Sequence, residues 1–180
     1  HGRSTRALHV QAYSYHAEWC DYYHDESILK RVRAAIDLHV KRQAKLGEPG
    51  RMFQRGWMPH GRIADAYCLL HQQFDEKGWL EESITLEKTD GEQTVSRRQA
   101  YADFFHNAFE WRRQDRRHFT NQPIHIAQTL YGTQSALRLL GDERALSKQQ
   151  SLWYVHEAAG IVPLRTRKFA IRGDAAGFPF

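Results

Sequence analysis

Apolar residues recur at intervals of three and four along most of the chain, which is the period of helices that bury one face. Six such stretches are separated by the glycine, proline, serine and aspartate residues that begin and end helices. The predicted helices are residues 4–23, a helix opening at Asp25 and closing at Gly47, residues 61–75, a helix opening at Ser96, residues 123–140, and a helix from Ser147 to Gly160. We therefore predict an all-α fold.

Two segments depart from the helical period. Residues 81–94 alternate between apolar and polar positions and contain Asp90-Gly91, a turn signal. This pattern predicts a small β-hairpin inserted between two helices. Residues 51–59 form a long connection whose apolar residues are Met52, Phe53, Trp57 and Met58. So many apolar side chains indicate a connection that packs against the rest of the protein rather than a free linker.

Three short segments about sixty residues apart resemble one another, and each precedes a predicted helix. The segments are His1-Gly2-Arg3, His60-Gly61-Arg62 and Thr120-Asn121-Gln122-Pro123. A repeat of this length with two helices per unit is typical of stacked or closed arrays of helical hairpins. We predict antiparallel hairpins in which the three segments lie at the same end of three neighbouring helices and line one cleft.

The chain is expected to contain one helical-hairpin domain. We assign this domain to residues 1–165, and an irregular tail or a link to a missing domain to residues 166–180. Because the chain opens at His1 without an initiator methionine, we expect a processed product or an excerpt of a longer protein. A closed toroid needs more hairpins than this chain carries.

The composition is that of one globular domain with a basic surface. The chain has 180 residues, 41% of them hydrophobic, a formal net charge of +5 and a pI of about 9.3. Such a surface favours acidic partners, for example nucleic acid or an acidic polysaccharide. The sequence has no apolar run long enough for a membrane span. Cys20 and Cys68 lie on apolar helical stretches without CxxC spacing, which favours free thiols over a disulfide.

Asn121 and Gln122 are the strongest candidates for chemistry. Two carboxamides just before Pro123, at a helix start, place hydrogen-bond donors beside the positive end of the helix dipole. Such a site suits a carboxylate or an oxyanion. The alternative is that Asn121 only caps the helix. His125 follows one turn later, where a histidine can exchange a proton near neutral pH.

His60 and Arg62 occupy the matching segment of the middle unit, and Arg3 occupies that of the first. An arginine there can bind a carboxylate with two hydrogen bonds; the alternative is surface charge at a helix start. Tyr67 lies on the helix that follows, where core packing is the default for a tyrosine and proton transfer is the alternative.

Other chemistry finds little support in the sequence. The eleven histidines include no HExxH pair, and the chain has no Walker loop, GxGxxG or GxSxG motif, so we expect no metal and no cofactor. Basic and aromatic residues are mixed at helical spacing, which indicates one buried and one solvated helix face. We therefore expect no nucleic-acid partner, and no membrane partner.

Residues 119–128, with the helix that ends at Leu139-Leu140-Gly141-Asp142, resemble the polysaccharide lyases built as (α/α) toroids, of the alginate- and glucuronan-lyase type. Members carry Asn beside a second polar residue, commonly His, at the head of an inner helix, and a Gln later on that helix. The resemblance implies that Asn121 and Gln122 neutralise a uronate carboxylate. Because Gln122 stands where many relatives have the catalytic histidine, His125 or His60 would take the proton.

In such lyases a tyrosine protonates the leaving oxygen, and Tyr67 is the candidate here. Arg62, Arg3 and Trp57 would contact the substrate. The resemblance thus implies β-elimination of an acidic, uronate-containing polysaccharide without a cofactor, and a secreted or periplasmic location. One alternative is a glycoside hydrolase on a similar helical barrel, which requires two carboxylates in one cleft; only Asp65 lies on a predicted inner helix. Another is a non-catalytic helical repeat that binds an acidic partner.

Overall fold

The computed structural model describes residues 5–47, 59–114 and 122–158. Within these ranges it contains six α-helices and one two-stranded antiparallel sheet. The helices are α1 Thr5–His16, α2 Glu26–Leu46, α3 Pro59–Glu76, α4 Arg97–Gln114, α5 Gln122–Leu140 and α6 Lys148–Ala158, and the strands are β1 Ser83–Lys88 and β2 Gly91–Ser96. The described chain is thus mostly helical, as the apolar pattern predicts.

The first helix is shorter than predicted. α1 ends at His16, and residues 17–25 continue as turns in which backbone N–H groups bond carbonyls three residues earlier. His24 has a left-handed backbone conformation with φ of 52°. The prediction of a helix to residue 23 relied on Trp19, which falls at the helical spacing but is 82% exposed. That aromatic side chain faces solvent, so its spacing carried no information about a buried face.

The second helix begins and ends where the sequence predicts. Asp25 caps its start, because its Oδ1 atom accepts the Ser27 backbone N–H at 2.7 Å. Gly47 ends it in a left-handed conformation with φ of 75°, and its backbone N–H bonds the last carbonyls of the helix. Local sequence chemistry therefore determines both ends of α2.

Two S-x-x-Q sequences cap α4 and α6. Before α6, Ser147 Oγ accepts the Gln150 backbone N–H at 3.2 Å, and Gln150 Oε1 accepts the Ser147 N–H at 3.0 Å, a complete capping box. Before α4, Ser96 Oγ accepts the Gln99 N–H at 3.2 Å, but the Gln99 side chain donates to Asp103 instead of turning back. The capping box before α4 is therefore only half formed.

The predicted β-hairpin is present between α3 and α4. β1 and β2 pair antiparallel with Ile84 opposite Val95 and Lys88 opposite Gly91. Ile84 and Leu86 turn inward and are each 5% exposed, whereas Thr85 between them faces solvent. This alternation buries one face of β1, while the residues of β2 are exposed or partly exposed.

α1 and α3, the helices that follow the first two repeated segments, run parallel. His9 Nδ1 on α1 lies 3.8 Å from Asp65 Oδ2 on α3. Further along both helices, His16 Nε2 hydrogen-bonds the Leu69 carbonyl at 2.8 Å. Because the contacting residues advance in the same direction on both helices, α1 and α3 begin at the same end.

α3 and α5, the helices that follow the second and third repeated segments, are also parallel. Gly61 near the start of α3 faces Thr129 of α5. Further along, Cys68 Sγ lies 4.0 Å from the Gly132 carbonyl. α1, α3 and α5 therefore all begin at one end of the molecule, as the sixty-residue repeat predicts.

α1, α3 and α5 form one layer of the fold, and α2 and α4 form a second layer. α2 and α4 run parallel, since Asp37 pairs with Arg97 and, further along, Gln43 Nε2 donates to the Phe104 carbonyl at 3.4 Å. α4 runs antiparallel to α3, because Arg98 near the start of α4 pairs with Asp75 near the end of α3 at 2.8 Å, whereas Phe104, further along α4, packs its ring 5.0 Å from that of His60 at the start of α3. The helices from α1 to α5 thus alternate in direction along the chain.

Arg97 joins this layer to the β-hairpin. Its Nε atom donates to both oxygens of Asp37 at 3.0 and 3.3 Å, and another guanidinium nitrogen donates to Glu82 Oε2 at 2.9 Å. The same nitrogen donates to the Trp79 carbonyl, and Tyr101 Oη donates to Asp37 Oδ1 at 2.7 Å. One buried guanidinium thus connects α2, the residues before β1, and α4.

Apolar side chains fill the space between the two layers. The largest fully buried residues are Tyr67, Tyr101, Phe74, Phe104, Phe105, Ile28, Leu29, Ile36, Ile63, Leu70, Leu80 and Leu137. A smaller cluster of Phe109, Ile126, Leu130, Trp153 and Tyr154 joins α4, α5 and α6. Since the core lies between the layers, the opposite faces of α1, α3 and α5 are available for polar residues.

Candidate functional site

Polar side chains of α1, α3 and α5 lie near the shared end of these helices, where His9 and Gln128 both approach Asp65. Arg62 and Asp65 are three residues apart on α3, and His125 and Gln128 are three residues apart on α5, so each pair lies on one helix face. His9 approaches from α1. We call these five residues the rim cluster.

The carboxylate of Asp65 is the centre of the rim cluster. Its Oδ2 atom accepts a hydrogen bond from Gln128 Nε2 and lies 3.8 Å from His9 Nδ1. Only 27% of the Asp65 side chain is exposed. Burial raises the pKa of Asp65 above its usual range, although the Gln128 hydrogen bond and the charges of His9 and Arg62 oppose this change. Asp65 is therefore a partly desolvated carboxyl group held by a neutral donor.

Two glycines allow α3 and α5 to approach closely at this point. A Cβ atom on Gly132 would lie 3.2 Å from Asp65 Oδ1 and 3.3 Å from Ala64 Cβ. A Cβ atom on Gly61 would lie 3.2 Å from Gln128 Cγ. These distances are shorter than ordinary van der Waals contacts, so any larger residue would push against Asp65 or Gln128. The two glycines therefore provide the space in which these side chains meet.

His9 turns one ring nitrogen toward Asp65. Its Nδ1 atom is buried and, within the part of the chain that the structure describes, has no hydrogen-bond partner. The side chain as a whole is nevertheless 44% exposed. The solvent-exposed area therefore belongs to the other atoms of the side chain, while Nδ1 faces the carboxylate.

His60, predicted to transfer a proton, is enclosed in the core. It has no exposed surface, its Nε2 atom lies 3.0 Å from Gln43 Oε1, and its ring packs against Phe104. Burial, together with the charges of His39 and Arg112, lowers the pKa of His60 to about 3. A substrate cannot reach this ring, so we withdraw His60 as a proton-transfer residue.

Tyr67 is also buried rather than available to a substrate. It has no exposed surface, and its hydroxyl group hydrogen-bonds His71 Nδ1 at 2.8 Å. Its ring packs against those of Tyr101 and Phe105. Burial raises the pKa of Tyr67 far above the usual range of a tyrosine. The prediction that Tyr67 protonates a leaving group is therefore replaced by a core-packing role.

The other predicted site residues are described in part. Arg62 and His125 are both partly exposed members of the rim cluster. Gln122 is the first residue of α5, at the shared end, but its side chain is not described. Three predicted site residues, Asn121, Arg3 and Trp57, lie outside the described residues, as do the apolar connection at 51–58 and the tail at 166–180.

Sequence reasoning missed the pairing of His9 with Asp65. The spacing of Arg62 to Asp65 and of His125 to Gln128 places each pair on one helix face, which could have been read from the sequence. Which helices would then face each other depends on tertiary packing. The contribution of α1, and with it His9, could not be read from that spacing.

Comparisons with protein-family models, with curated proteins and with solved structures found no match.

Among the described residues, no group of three histidine, cysteine or acidic side chains is placed to hold a metal ion. No described helix combines the length and the apolar character that crossing a bilayer requires. Both cysteines are unpaired thiols, and burial raises the pKa of Cys68 to about 12.

Proposed function

We propose that this protein is a polysaccharide lyase that cleaves a uronate-containing polymer by β-elimination on an (α/α) toroid or part of one. The observation that carries the proposal is the common start of α1, α3 and α5, where residues of the rim cluster contact one another. The net charge of +5 supports it further, because a basic surface attracts an anionic chain.

The chemistry requires donors at the substrate carboxylate. A proton next to a carboxylate is weakly acidic unless the charge that forms on the carboxylate is stabilised. We assign this stabilisation to Asn121 and Gln122 at the head of α5 and to Arg62 at the head of α3. Arg62 has a suitable guanidinium for a carboxylate, and its partial exposure leaves surface for a substrate.

Proton transfer requires a group that a substrate can reach. Because His60 and Tyr67 are buried, His125 is the remaining residue of the predicted catalytic set whose side chain is both described and partly exposed. It lies one turn before Gln128 and on the same face of α5. We therefore assign to His125 a role in proton transfer at this end of the helices.

A glycoside hydrolase is the second candidate. It is favoured by the raised pKa of Asp65, because a carboxyl group that keeps its proton can act as a general acid. It requires a second carboxylate across the cleft. Within the described rim cluster Asp65 is the single acidic residue, so elimination remains the better-supported reaction.

The test is to incubate the protein with alginate, glucuronan and glycosaminoglycans and to follow the absorbance of the unsaturated product. Arg62→Gln should lower activity by about a hundredfold or more, because it removes a donor at the developing charge. Arg42→Gln is the matched control, since Arg42 is exposed on α2 in the other layer. Absence of unsaturated product from all three polymers, or equal activity of both variants, would contradict the proposal.

A further inference from the structure

We propose that His9, Asp65 and Gln128 form a proton-transfer triad in which His9 Nε2 is the catalytic base, Asp65 orients the imidazole, and Gln128 positions Asp65. This inference rests on the proposed function, and it assigns the base that elimination requires to His9 in place of His125. Its structural part can be tested without any substrate.

The orientation of His9 is the first support. The ring directs Nδ1 toward Asp65 at 3.8 Å, and this nitrogen is buried while 44% of the side chain is exposed. Catalytic hydrogen bonds are often long before substrate binds. The geometry leaves Nε2 as the nitrogen available for a substrate proton.

The support behind Asp65 is the second observation. Gln128 Nε2 donates to Oδ2, the same oxygen that faces His9. On the other side, Gly132 leaves room for Oδ1, which a Cβ atom would approach to 3.2 Å. The carboxylate is thus fixed by residues of α5 while it faces α1. A base oriented by a second group that is itself held in place is the arrangement that proton transfer requires.

The proposed step balances its protons and electrons. His9 begins neutral, with its proton on Nδ1 toward ionised Asp65, and its Nε2 lone pair takes the proton from the uronate carbon next to the carboxylate. The electron pair of that C–H bond forms the new C=C bond as the bond to the glycosidic oxygen breaks. The leaving oxygen then takes the proton from His9 Nε2, which restores the neutral ring. Asp65 stabilises the imidazolium between these two events.

Arg62 has a separate role in this scheme. Its positive charge lowers the pKa of Asp65, as does that of His9, and so favours the ionised carboxylate against the effect of burial. Asp65 also provides a negative charge one turn from Arg62, whose position at a helix start opposes the helix dipole. The charges at this end of the helices therefore partly compensate one another.

The experiment compares His9→Gln, Asp65→Asn and Gln128→Met with the control His156→Gln, an exposed histidine on α6. Circular dichroism first verifies that each variant is folded. We expect His9→Gln and Asp65→Asn to lower kcat by about a hundredfold or more with little change in KM. Gln128→Met should lower kcat less, since it displaces Asp65 without removing it. His156→Gln should retain wild-type kcat.

A substrate-free readout is the carbon-13 NMR titration of the Asp65 carboxyl group. His9→Gln and Gln128→Met should each raise the pKa of Asp65, because both remove an influence that lowers it, whereas His156→Gln should not.

An Asp65 pKa that is the same in His9→Gln and His156→Gln would overturn the pairing. Wild-type kcat in His9→Gln, together with lost activity in Arg62→Gln, would overturn the triad and leave the lyase proposal intact. If the wild-type protein cleaves no uronate polymer, the proposed function fails and His9 loses its role as base, while the titration still decides the pairing.

Discussion

The buried guanidinium of Arg97 gives a quantitative prediction about how α2, α4 and the residues before β1 are held together. Asp37→Asn removes the carboxylate that accepts from Arg97 at 3.0 and 3.3 Å and from Tyr101 at 2.7 Å. The Arg97 side chain is 8% exposed and that of Asp37 is 18% exposed, so the substitution leaves a charge largely buried. Removing one partner of such a pair costs about 3–5 kcal/mol. Because Glu82 remains at 2.9 Å, we expect the lower end, about 3 kcal/mol.

The assay is urea unfolding followed by circular dichroism, with Glu26→Gln as the control. Glu26 pairs with Lys30 at 3.2 Å and with Lys77 at 3.6 Å, and its side chain is 54% exposed, so the loss of these surface pairs should barely change the midpoint. The double variant Asp37→Leu/Arg97→Met should be more stable than Asp37→Asn, because it leaves no buried charge unpaired: Glu82 is 49% exposed and keeps Arg33 at 3.5 Å. Equal midpoints for Asp37→Asn and Glu26→Gln would refute this reasoning.

Three further predictions concern Tyr67, two buried histidines and Asn121. Tyr67→Phe should retain wild-type activity and lose about 0.5–1.5 kcal/mol of stability with its hydrogen bond to His71, measured by product absorbance and thermal unfolding. Burial lowers the pKa of His39 to about 4 and that of His60 to about 3, so the folded protein binds fewer protons than the unfolded chain below pH 6.5. The free energy of unfolding should therefore be highest above that pH and decrease as the pH falls, by up to about 1.4 kcal/mol per pH unit for each histidine; a pH-independent urea midpoint would contradict this. Asn121→Ser should keep the melting temperature but lose about a hundredfold in activity, since serine can cap a helix but is too short to reach a carboxylate; full activity would show that Asn121 is only a cap.

Local patterns predicted most of the fold. The ends of α2, the hairpin at Asp90-Gly91 and the serine caps depend on residues a few positions apart, so the sequence contains the necessary information. The exception is the end of α1. Trp19 continues the apolar period, but tertiary structure leaves it exposed, and periodicity alone cannot distinguish these outcomes.

The site was less accessible to sequence reasoning. His60 was predicted as a rim residue from its place in the repeat, yet that position faces the core and Gln43. The meeting of His9 with Asp65 depends on how α1 crosses α3, and the support from Gln128 depends on close packing of α3 and α5. Such contacts join residues more than fifty positions apart, so the local spacing of residues in the sequence cannot predict them.

The most direct test of elimination at this shared end of helices is to digest a uronate polymer in water enriched in heavy oxygen and to analyse the products by mass spectrometry. β-Elimination breaks the C–O bond without adding water, so we expect unlabelled fragments with an unsaturated uronate at the new non-reducing end. Saturated fragments that carry the heavy oxygen at the new reducing end would show hydrolysis and contradict the proposal.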